Sequence, residues 1–201
     1  MRNLKTLLVA MAFVQAPFAS ADWMLDNDQS LINFLSIKNA SVIETHHFKQ
    51  LEGTLSDKGK AHVVISLASV ATNIDIRDER MRSMLFNTDL FPSALLNADL
   101  DLEALETLEI GQTKAVPVQF TLELHGQEQQ LETQLQVTKL EGGDILASTL
   151  QPVVIDAAKF KLNEGVEALR KVAKLDTIVQ SVPVNVQLYF NNSDVAIANE
   201  K

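Results

Sequence analysis

Between residues 60 and 190 the chain alternates apolar and polar positions with a period of two. Residues 114–124, "KAVPVQFTLEL", place Val116, Val118, Phe120, Leu122 and Leu124 on one face and Pro117, Gln119, Thr121 and Glu123 on the other. Residues 182–190 set Val182, Val184, Val186, Leu188 and Phe190 against Pro183, Asn185, Gln187 and Tyr189. "AHVVISLA" aligns Val63, Ile65 and Leu67, and "QLETQLQV" aligns Leu131, Leu135 and Val137. This pattern belongs to antiparallel strands with one dry and one wet face. Stretches 30–38, 94–102 and 145–154 are apolar on both faces, and 47–55 is a weaker candidate. With turns at "SDKG", "HGQEQ" and "EGGD", the pattern predicts eight strands: 30–38, 47–55, 60–68, 93–102, 114–124, 129–139, 144–154 and 180–190.

Two segments follow a helical period instead. In residues 76–92, "IRDERMRSMLFNTDLFP", Asp75 is the expected cap, Asp78 and Arg82 the expected i,i+4 pair, and Met81, Met84 and Leu85 one apolar face. Near 163–174, Asn163 is the expected cap, Glu167 and Lys171 a pair, and Val166, Leu169 and Ala173 a stripe. Neither repeats nor low-complexity linkers interrupt the chain. The reading is therefore one all-β domain: an eight-stranded antiparallel barrel or a sandwich, with one or two short helices. A barrel of this size either fills its interior with side chains or keeps room for one small ligand, and the pattern leaves both open.

Composition narrows the chemistry. The basic start (Arg2, Lys5), the apolar run 7–13 and the small residues Ala19 and Ala21 predict a secretory signal peptide over 1–21, with a mature domain over 22–201. Without Arg2 and Lys5, 15 basic residues face 26 acidic ones, a formal charge of −11. That disfavours nucleic acid as a partner. The run 7–13 is too short to span a bilayer, and no stable membrane insertion is expected. With no cysteine, thiolate zinc sites, iron–sulfur clusters and cysteine nucleophiles are excluded. His46 and His47 are adjacent on a strand and point to opposite faces, which opposes a shared metal ion. No nucleophile elbow, HExxH or phosphate-binding loop is present, so neither catalysis nor a cofactor is expected.

Two stretches carry a family resemblance. "DWMLDNDQSLINF" (22–34) with "FKQLEGTL" (48–55), and above all "SVATNIDIRDERMRSMLFNTDLFPSALLNA" (69–98), resemble the bacterial polyisoprenoid-binding, lipocalin-like (YceI-like) family. The second match rests on Ser69, Val70, Thr72, Arg77, Asp78, Arg82, Ser83, Phe86, Phe91 and Pro92. The resemblance implies a lipocalin-like barrel with an apolar tunnel, exported to the periplasm, that binds a long isoprenoid or related lipid for carriage, storage or sensing. The expected ligand-lining residues are Phe34, Val63, Ile65, Leu67, Phe86, Phe91, Val118, Phe120, Leu122, Leu135, Val137, Val184, Val186 and Leu188. Arg77 and Arg82 are the candidates for a ligand head group. The alternative is a filled barrel acting as an envelope protein-interaction or stress-response module, its protein partner unknown.

Overall fold

The computed structural model describes residues 23–193. The expected signal peptide lies outside them. Eight antiparallel strands follow one another around a closed barrel. β1 comprises Trp23–Leu25 and Leu31–Lys38, and β2 comprises Val42–Phe48 and Leu51–Leu55. β3 is Lys60–Ser66, β4 is Ser93–Asp99, β5 is Thr113–Leu124 and β6 is Gln127–Lys139. β7 comprises Ile145–Thr149 and Val153–Asp156, and β8 is Ser181–Asn192. Each strand pairs with the next in sequence. β8 then closes the ring on β1 twice, through Trp23 opposite Asn192 and through Phe34 opposite Val184.

The three strands built of two pieces are bent, and each bend is fastened. At the break in β1, Asp26 accepts from the backbone N–H groups of Asp28 and Gln29. Neighbouring Asn27 accepts from Leu51 N at 2.7 Å, where β2 resumes. In the gap of β2, Ser69 Oγ accepts from Lys49 N and Gln50 N, both at 3.1 Å. The two-residue strand Val70–Ala71 pairs beside it. The break between Thr149 and Val153 explains why 145–154 carries apolar residues on both faces: a bent strand does not keep one face inward along its whole length.

The connections at one end, here the upper, carry the expected helices. β3 leads through a 3₁₀ turn (Leu67–Ser69) to α1, Asp75–Arg80, which continues without a break as a π-helical turn, Met81–Phe86. β7 leads through a 3₁₀ turn (Ala157–Phe160) to α2, Asn163–Val172. At the lower end, the β4–β5 connection forms one further helical turn, Glu103–Glu106, which the sequence pattern does not predict. Leu102 and Leu105 beside it pack against the core.

Side-chain details of the helix starts differ from expectation. Asp75 begins α1 but makes no capping bond. The buried carboxylate is Asp78, which accepts from Thr72 N at 2.8 Å and Thr72 Oγ1 at 2.5 Å. It therefore ties the helix back to the preceding strand, and its pairing with Arg82 is not formed. Asn163 likewise starts α2 without a side-chain cap. Glu167 meets Arg170 through two 2.7 Å bonds as well as Lys171 at 3.6 Å. Val166 is buried and Leu169 partly buried, but Ala173 is exposed.

Candidate functional site

The interior is not filled. An apolar cavity occupies the upper barrel, with about 950 Å³ of empty space when the solvent at its mouth is included. No polar residue lines it. Its wall comes from the inward faces of the strands and its roof from the cap. Of the expected lining residues, Phe34, Ile65, Leu67, Phe86, Phe120, Leu122, Val184 and Val186 line this cavity. A second apolar chamber lies lower, with about 430 Å³ of empty space on the same basis, and Val118, Leu135 and Val137 line it together with Phe190 and Leu105. Val63 and Leu188 are buried in the wall without bordering either chamber. At these two positions neighbouring side chains cover the inward face.

Several lining residues lay beyond the sequence reading: Ile32, Phe48, Leu96, Ile155, Leu162 and Val166. Ile32 was legible in principle, two positions before Phe34 on the same face. Leu162 and Val166 reach the cavity only because α2 folds over the opening.

The π-helical turn decides which cap residues face inward. An ordinary helix would set Met81, Met84 and Leu85 on one face. With i→i+5 bonding the turn is wider, and the inward face shifts. Met81 is 5% and Phe86 6% exposed, Leu85 lines the cavity, and Met84 is 37% exposed. Asn87, left-handed at φ 49°, ends the turn, and Thr88 N donates to Arg82 O at 3.0 Å. Asn is one of the few residues that adopts this conformation at low cost.

Phe91 does not enter the cavity. Its ring lies over the tight β5–β6 turn, 4.4 Å from the His125 ring. That turn has positive φ at both His125 (52°) and Gly126 (67°), and a Cβ on Gly126 would stand 2.9 Å from Phe91 Cε1. The chain has already left the cap at Asn87 when it reaches Phe91, so the ring covers the outside of the hairpin. His125 is half-buried, with Nδ1 3.2 Å from Phe160 O.

Above the cavity the inward faces of β1 and β2 turn polar. Phe34 and Phe48 give way to Ser36, Lys38, Glu44 and His46, and Arg77 reaches them from α1. Glu44 pairs with both Lys38 and Arg77. Burial works against the charged Glu44 carboxylate, but the Lys38 hydrogen bond and the charges of Arg77 and Lys38 outweigh it and hold its pKa below the ordinary value. His46 is 2% exposed, with Nε2 3.0 Å from Ser36 Oγ and Nδ1 without a partner. Burial first, and the Arg77 charge next, push its pKa down, so the imidazole is neutral at pH 7. His46 stacks edge-on to Phe34 at 5.3 Å, Phe34 touches Phe48 at 5.4 Å, and Phe48 touches Phe86 at 5.9 Å. These rings link the polar cluster to the cap.

Neither head-group candidate is placed as expected. Arg77 is committed to Glu44, and Arg82 is half-buried in the π-helical turn; neither borders the apolar cavity. The cluster sets two cations, Lys38 and Arg77, against the one carboxylate of Glu44, and binds α1 to the barrel wall.

The model of the YceI-like domain family matches residues 23–190. Among solved structures, a polyisoprenoid binding domain from Saccharophagus degradans, implicated in plant cell wall breakdown, is 39% identical. It superposes with a TM-score of 0.84 over 86% of this chain and 99% of that one. BcnA from Burkholderia cenocepacia, 14% identical, shares the fold at a TM-score of 0.63 over 82% and 98% of the two chains. No curated protein sequence matches the chain.

Proposed function

Because this chain belongs to the YceI-like domain family, we propose that it binds a long isoprenoid or related apolar lipid inside its barrel and serves as a carrier, store or sensor of that lipid. The observation that carries the reading is the upper cavity, which is enclosed by strands and cap helices and lined by apolar residues alone. The relative from Saccharophagus degradans, a polyisoprenoid binding domain, supports the class of ligand.

The energetics fit a featureless chain. Each methylene moved from water into the cavity contributes about 0.8 kcal/mol. A five-carbon unit thus contributes a few kcal/mol, and several units exceed the roughly 4–15 kcal/mol cost of association. No polar motif is required for such binding. It acts as a binding protein, with no catalytic step assigned to any residue. We place it in the periplasm, on the leader pattern of residues 1–21; N-terminal sequencing of protein recovered from a periplasmic extract, beginning at Asp22, tests that assignment.

Organic extraction of gently purified protein, followed by mass spectrometry, is expected to release a prenyl lipid. A protein that carries none and binds neither polyprenol nor quinone probes would refute the reading. Val184→Trp, which fills the cavity from β8, should weaken lipid binding at least tenfold while the circular dichroism spectrum stays that of the parent.

A further inference from the structure

One stretch of the barrel wall is unzipped. β6 and β7 pair from Lys139–Ile145 up to Leu135–Thr149, and Leu150 N adds a last bond to Gln134 O at 3.0 Å. Beyond Gln151 and Pro152, β7 pairs with β8 alone. Residues 127–133 of β6 pair with β5 alone. The wall is rejoined at the upper end, where His125 meets Phe160. The seven residues of β6 that lack a β7 partner span about 23 Å at about 3.3 Å per residue, and the 3₁₀ turn Ala157–Phe160 packs against β6, so the window is shorter than that stretch.

Outside the window lies a groove with about 2020 Å³ of empty space, open solvent included. Val153 borders both this groove and the upper cavity, and Val118 borders both the groove and the lower chamber. Val153 and Val118 are thus the side chains that stand between the groove and the two chambers. Both ends of the barrel carry helices, whereas here the wall itself is interrupted.

The groove has its own chemistry. Gln119, Gln130, Gln134 and Gln151 supply amides that both donate and accept, and Thr133 adds a hydroxyl. Among the described residues no cation lines it, and the single charge there is the carboxylate of Glu132. The cations nearest the cavity's other polar region, Lys38 and Arg77, are already paired with Glu44. An anionic head placed in the groove would face a like charge with no counter-ion, which disfavours it. An uncharged head that accepts or donates hydrogen bonds finds partners on both rims.

We propose that this groove is the head-group subsite. The lipid chain passes the window beside Val153 and Val118 into the chambers, and an uncharged, hydrogen-bonding head (an alcohol, quinone or ester) stays between the glutamines. The proposal rests on the lipid-binding reading of the chambers.

The test compares farnesol with farnesyl monophosphate, which share one chain, on the delipidated full-length protein at low ionic strength. Farnesol should bind at least tenfold more tightly. Glu132→Lys should tighten the phosphate at least tenfold and leave farnesol within threefold, with Glu132→Gln between. Equal affinity for the two heads in the parent protein overturns the proposal, as does a Glu132→Lys effect that is the same for both. A preference that moves with Arg77→Gln in place of Glu132→Lys puts the head at the cap and overturns it too. If farnesol, farnesyl phosphate and longer polyprenols all fail to bind, the lipid-binding reading itself falls and takes the subsite with it.

Discussion

Gly165 lies on α2 where that helix crosses the π-helical turn. A Cβ at this position would stand 2.7 Å from Met84 O, 2.8 Å from Leu85 Cα and 3.1 Å from Leu85 Cδ1. Two of these three atoms are backbone and cannot swing aside, so Gly165→Ala must push the two cap elements apart. Overpacking of this kind costs about 1–3 kcal/mol. The same substitution in an unobstructed helix interior gains about 0.5–1 kcal/mol, because alanine loses less conformational freedom than glycine. At the middle of both ranges the net expectation is a loss of about 1 kcal/mol, with about 2.5 kcal/mol as the upper bound. For a chain of this size each kcal/mol moves the melting temperature by about 2–4 °C, so a drop of about 2–4 °C, and at most about 10 °C, should appear in calorimetry. The sign is what matters. A melting temperature that stays the same or rises would show that the cap elements are not packed backbone to backbone, and the account of the roof would be wrong.

Three further perturbations address the same architecture. Asp78→Ala removes the carboxylate that holds Thr72 N and Oγ1; a loss of about 1.5–3 kcal/mol is expected in chemical denaturation, and Thr72→Val combined with it should be clearly less than additive. Phe86→Ala deletes the inward ring of the cap and should cost about 3 kcal/mol, the lower part of the usual range because the site already borders a cavity; a cost under about 1 kcal/mol would mean the ring is not part of the core. His46 has its pKa lowered by burial and by Arg77, so the unfolded chain takes up the proton more readily: the contribution to stability is complete above the unfolded value of about 6.5 and is lost as pH falls through the lower folded value. Denaturation series from pH 7.5 to 5 should show that loss, and His46→Gln should flatten it; an unchanged slope in the variant assigns the dependence to other groups.

The eight strands were legible because alternation survives in any strand with one face toward an interior. Bends were not. The gap in β1 depends on Asp26, Asn27 and their partners across the sheet, and no local period reports a hydrogen bond from Leu51, 24 residues away. The cap was legible as a helix, and of its expected apolar face Met81 and Leu85 turn inward, whereas the π-helical turn leaves Met84 exposed. Phe91 was expected inside on the family resemblance alone; the left-handed Asn87 had already redirected the chain. Arg77 was read as available because its partner, Glu44, is 33 residues away on another strand. The cavity itself could not be read from pattern: an apolar inward face describes a filled barrel and a hollow one equally.

The last strand of the barrel is also the one that completes it, and that order has a kinetic meaning. Trp23, the sole tryptophan, sits where the first strand meets the end of the last, opposite Asn192, and its indole donates to Gly143 O at 2.9 Å. Bringing these ends together closes a loop of nearly the whole domain, a non-local step of the kind that slows folding. Until β8 docks there is an open sheet and no chamber. An enclosed space exists only once the ring is closed, and refolding followed through Trp23 fluorescence would time the closure of this seam.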